Sequence, residues 1–78
     1  MSLYAEIGTI VRALPNEDGM QIKLQTPTGS RIMHVPANRP ELVSEAREAR
    51  MSGVEVMVRR TEHDMVVALR PNTLLQAA

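Results

Sequence analysis

The chain is expected to fold as a small, mainly β (α+β) barrel with its elements in the order β-β-β-α-β-β. Three observations lead there. Short stretches of alternating apolar and polar residues recur along the chain, which is the period of a half-buried strand. Clusters rich in Pro, Gly, Asn and Asp punctuate them. A single segment in the middle switches to helical spacing. With 78 residues there is room for one domain and one small core, expected over 3–70, with 71–78 as a short C-terminal tail.

Residues 3–14, LYAEIGTIVRAL, read as a long first strand rich in β-branched residues, in which Ile7, Thr9, Val11 and Ala13 alternate with Glu6, Gly8, Ile10 and Arg12. Gly8 inside it marks a bulge, a sharp bend or a close approach of backbones. Pro15–Gly19 supplies a preset proline φ and an Asp-Gly pair, the ingredients of a tight reversal. The second strand, Met20–Thr26, places Met20, Ile22 and Leu24 on one face and Gln21, Lys23 and Gln25 on the other. Pro27–Ser30 turns the chain into a third strand, Arg31–Val35.

The helix follows. Asn38 is placed to cap it, Pro40 suits its first turn, and Glu41 completes a capping box. Leu42, Ala46 and Ala49, with Val43 beside them, form an apolar stripe, and Gly53 is placed to stop the helix. A closing hairpin is expected from Val54–Arg60 and Met65–Arg70, joined by the turn Thr61–Asp64 and ended by Pro71. Its inward residues should be Val54, Val56 and Val58 on one strand, and Met65, Val67 and Leu69 on the other.

A meander of three strands, then a helix, then a hairpin resembles the five-stranded OB barrel that binds oligonucleotides and oligosaccharides. The long first strand with its glycine fits, because in such a barrel it bends to pair in both halves. The likeness is one of architecture, spans residues 3–70 and rests on no family motif. An SH3-like barrel or an open antiparallel sheet with one helix has the same element content.

Composition narrows the function classes. Nine basic residues balance nine acidic ones, and hydrophobic residues make up 44%, a globular mixture. No apolar run spans a bilayer and no signal peptide opens the chain, so a cytoplasmic protein without membrane contact is expected. Cysteine is absent, which removes disulfides, thiolate nucleophiles and Cys-ligated metals. Tyr4 is the one aromatic residue, while methionine occurs six times. A small core without large rings or cross-links favours a protein that buries further apolar area by self-association, as a dimer or larger homo-oligomer.

Catalysis needs convergent groups, and none is evident. His63 stands between Glu62 and Asp64 in a turn, where neighbouring residues seldom converge on one ion; His34 lies on a strand and faces outward. The four glycines are isolated, so no phosphate loop exists. No enzyme, cofactor or metal is expected. Two kinds of surface remain. Arg12, Arg31, Arg59, Arg60 and Arg70 fall near strand ends and could meet nucleic-acid phosphates, although one tyrosine makes no stacking platform. Ile32, Met57, Val66 and Ala68 fall on outward positions that should be polar, and together would form an oligomer or protein-partner interface. The favoured reading is a non-catalytic interaction and assembly module; the alternative is a single-stranded DNA- or RNA-binding domain using the arginines.

Overall fold

The computed structural model describes residues 2–72, and the elements appear in the expected order. They are β1 (Leu3–Asn16), β2 (Gly19–Thr26), β3 (Gly29–Pro36), α1 (Pro40–Ser52), β4 (Glu55–Thr61) and β5 (Val66–Pro71). The five strands form one antiparallel sheet in the spatial order β3-β2-β1-β4-β5. No ladder of hydrogen bonds closes it, so the open form of the expected architecture is the one adopted. The two edge strands meet at a single parallel bridge between His34 and Met65, where the His34 N–H donates to the Asp64 carbonyl at 2.8 Å.

β1 gives the sheet its curvature. Its first half pairs with β4 and its second half with β2, and Thr9 takes part in both pairings. At the changeover sits Gly8, where a Cβ atom would come within 2.1 Å of the Gln25 carbonyl oxygen. Only glycine lets the two backbones approach so closely. The bulge itself lies three residues on: Ile10 pairs with Leu24 and Arg12 with Lys23, leaving Val11 without a partner. Inward parity therefore passes from Gly8 and Ile10 to Ala13.

The core lies between the inner face of the sheet and the helix. Met20, Ile22 and Leu24 of β2 are buried as expected, with Met33 and Val35 of β3 and Val56 and Val58 of β4. Leu42, Ala46 and Ala49 of α1 join the same cluster, and the helix packs against β1, β3 and β5. Burying each aliphatic side chain of this size is worth about 1.5–3 kcal/mol. Gly53 ends the helix in a left-handed conformation, φ 72°, and its N–H donates to the Ala49 carbonyl at 2.9 Å.

Three local expectations are corrected. The helix cap is Arg39 rather than Asn38, and no side chain caps it. Pro40 takes the first helical position because its fixed φ and missing N–H suit it, which moves the cap one residue past Asn38. Glu41 consequently accepts a hydrogen bond from Arg39 Nε at 2.6 Å instead of forming a capping box. The first hairpin turn is tighter than Pro15–Gly19, since Asn16 pairs directly with Gly19 and the Asn16 Oδ1 accepts from the Asp18 N–H at 2.9 Å.

The third correction bears on function. Arg59 pairs with Ala68 and Arg60 with Val66, so Val67 has no partner across the strand. This bulge changes the inward set at the start of β5: Val66 enters the core, Val67 is half-buried and Met65 stays exposed, while Leu69 is buried as expected. Of the tail, Pro71 completes β5 and the Asn72 N–H donates to the Glu55 carbonyl; residues 73–78 lie outside the described residues. Among the described residues no helix is long and apolar enough to cross a membrane.

Candidate functional site: the outer face of the sheet

With the inner face committed to the core, the outer face is where cross-strand pairing gathers exposed side chains into rows. On the β1–β4–β5 side, Ile7, Met57 and Arg70 form one row, and Ala5, Arg59 and Ala68 the next. Leu3 stands beyond them opposite Thr61. Ile7 and Leu3 are 43% and 52% exposed, large values for aliphatic side chains in a sheet. Met57, Arg59, Ala68 and Arg70 line a shallow depression here.

On the β1–β2–β3 side the rows are Arg12, Lys23 and Ile32, then Leu14, Gln21 and His34, and on the other flank Thr9, Gln25 and Ser30. A second depression is lined by Arg12, Leu14, Gln21, Lys23 and Ile32. The four residues read as one apolar interface are thus distributed over three places. Met57 and Ala68 lie together, Ile32 lies across the sheet on β3, and Val66 is in the core.

The five arginines divide as well. Arg60 follows Val56 and Val58 in parity and points inward, only 6% exposed. Its Nε and Nη2 donate to Glu6 Oε2 at 3.1 and 2.8 Å, and its Nη1 donates to the Thr61 carbonyl at 3.1 Å. The Tyr4 ring lies against the guanidinium, 4.7 Å to its centroid, a cation–π contact. Asp64 reaches the same group at 3.6 Å and binds Arg31 Nε at 2.7 Å. Asp64 has a φ of 63°, a left-handed value that aspartate tolerates, and this turn aims its carboxylate at both arginines. Arg31 and Arg60 therefore belong to an ion-pair cluster at one end of the sheet. Arg12, Arg59 and Arg70 have no ion-pair partner among the described residues.

The histidines do not converge. His34 Nε2 donates to the Asp18 carbonyl at 3.1 Å, and His63 is almost fully exposed, 3.9 Å from Glu62. Among the described residues, no three His, Asp or Glu side chains gather as metal ligands would. Sequence reasoning missed Lys23, Ile7 and Leu14 as outer-face residues of interest. Lys23 was legible from the alternation of β2, whereas Ile7 and Leu14 depend on the bulge at Val11. The parity of Val56, Val58 and Arg60 was the available sign that Arg60 faces inward. Compared with protein-family models, with curated proteins and with solved structures, the chain matches none of them.

Proposed function

We propose that this protein is a cytoplasmic, non-catalytic interaction module that self-associates through the outer face of β1, β4 and β5. The observation that carries the reading is the run of Leu3, Ala5, Ile7, Met57 and Ala68 on that face, outside a core that is already complete on the inner side. Grouped apolar side chains on an outer sheet face mark contact surfaces. Covering them with a second copy removes apolar area worth roughly 25 cal/mol per Å², a large fraction of the few kcal/mol that a domain of this size musters alone. Met57 adapts to an irregular partner surface, and Arg59 and Arg70 suit the edge of such a contact. Zero net charge means that no overall charge repulsion opposes the meeting of two copies.

Static light scattering at micromolar concentration should give a mass at least twice 8.7 kDa. Met57→Glu should shift the protein to the monomer while keeping its strand signal and cooperative melting, because Met57 lies on the outer face. A wild type that remains monomeric at high concentration overturns the reading. Val66→Glu is unsuitable for this purpose, since it strikes the core.

A further inference from the structure

We infer that the outer face of β1, β2 and β3 binds single-stranded nucleic acid, with Arg12 and Lys23 holding the phosphates. This goes beyond self-association and uses a different face. The first observation is that Arg12 and Lys23 are direct cross-strand neighbours. Like charges placed opposite each other on a sheet repel and destabilise it. Neither has an ion-pair partner among the described residues, so nothing in the fold compensates that repulsion.

The second observation is what surrounds them. Although the whole protein is neutral, the rows through Arg12 and Leu14 carry no carboxylate; the nearest in these rows is Glu55, opposite Thr9 in the flanking row, where it accepts from the Asn72 amide. Where the face meets the β4–β5 turn, the Asp64 carboxylate is already held by Arg31. Charge is thus segregated: a positive strip on this face, with the acidic residues on the helix, in the turns and at Glu6 and Glu55. A polyanion is the complementary partner.

Three further side chains favour an unpaired strand. Leu14 and Ile32, both exposed, give apolar surface on either side of the cations, against which an unstacked base can lie. Gln21, exposed in the row beside them, offers an amide that both donates and accepts towards a base edge. Those edges are paired in a duplex. No aromatic residue lies on the face, so phosphate contacts dominate and sequence preference is weak.

The test is fluorescence anisotropy with a labelled oligothymidine of about 15 nucleotides. With two phosphate contacts on a single strand, affinity should fall about sevenfold between 50 and 200 mM salt, from a slope of about −0.7 per contact. Replacing both residues, Arg12→Ala with Lys23→Ala, should weaken binding about tenfold and flatten that salt dependence. Arg47→Ala with Arg50→Ala removes two positive charges from the exposed side of the helix, outside both proposed surfaces, and should leave both quantities close to wild type. A duplex of equal length should bind more weakly. Absence of binding at low salt overturns the inference, as does an Arg12/Lys23 variant that binds like wild type. Equal loss in the Arg47/Arg50 variant overturns the assignment to this face, and equal affinity for the duplex overturns the choice of single strand. Light scattering on the Arg12/Lys23 variant separates this from self-association, because the oligomer mass should not change.

Discussion

The two hairpins that flank β1 are built on the same alternation but keep it with different fidelity. β2 and β3 pair without interruption from Gly19 opposite Pro36 to Thr26 opposite Gly29. β4 and β5 lose a partner at Val67. In the uninterrupted hairpin the inner set is apolar, and the outer set of Gln21, Lys23, Gln25, Ser30, Ile32 and His34 is mostly polar. In the interrupted one, Val66 and Arg60 are drawn inward, and Met57 and Ala68 remain outside beside Arg59 and Arg70. One unpaired residue on β5 brings Val66 inward opposite Arg60, whereas Arg60 itself follows the unbroken alternation of Val56 and Val58 on β4. Arg59 and Arg60 are chain neighbours with opposite fates, so an adjacent pair of basic residues is no guide to a basic patch until its parity is known.

The sharpest way to break this comparison is to charge the two valines in turn. Val66→Glu places a carboxylate among Val56, Val58 and Leu69, at a cost of about 4 kcal/mol or more, which exceeds what so small a domain can spare. The variant should show no cooperative melting by circular dichroism. Val67→Glu, at the bulge and half-buried, should cost about 1 kcal/mol and stay folded. Equal damage from both would mean that the bulge does not set the inward residues.

Next in size is the arginine pair. Arg60→Ala leaves Glu6 without its main partner and strips Asp64 of one of two, and should cost about 2 kcal/mol; the figure for a buried pair is reduced because Glu6 is partly exposed. Arg59→Ala should change stability by no more than about 0.5 kcal/mol. Urea midpoints of the two variants measure the contrast, and similar midpoints would remove the distinction.

The smallest effect concerns the helix start. The hydrogen bond from Arg39 holds the Glu41 carboxyl below its ordinary range. A carboxyl whose pKa is lowered by folding stabilises the native state above its unfolded pKa, and that contribution is lost as pH falls through the lowered value. Arg39→Ala should move the Glu41 midpoint, followed by carboxyl NMR, back up towards the ordinary range. An unmoved midpoint would mean that the helix terminus, not Arg39, lowers it.

Much of the fold was legible because its signals are local. The alternation in Met20–Thr26, the stripe of Leu42, Ala46 and Ala49, and Gly53 as helix stop each depend on residues a few positions apart, and each lies where its pattern implies. Bulges are different. Val11 and Val67 are ordinary β-formers, and nothing in their chemistry marks them as unpaired; the long-range register decides it. The candidate surface lost Val66 in this way, because the bulge at Val67 turns that residue inward while Ala68 and Arg70 keep their expected side. The cluster of Glu6, Arg31, Arg60 and Asp64 was hidden for the related reason that its members are distant in sequence and meet only through the sheet.

The divided loyalty of β1 has a consequence for how the chain folds. Its second half finds β2 across a tight turn, a local event on the microsecond scale of hairpins. Its first half waits for β4, so Leu3 meets Thr61 and Tyr4 meets Arg60 only after nearly the whole chain has been brought round. Such pairing between distant segments places the protein among slow folders, in milliseconds to seconds rather than microseconds. During synthesis, the segment from Leu3 to Ile7 leaves the ribosome long before its partner strand exists. Until β4 emerges, that segment is an unpaired apolar strand, open to capture by a chaperone or by the same segment of a neighbouring nascent chain.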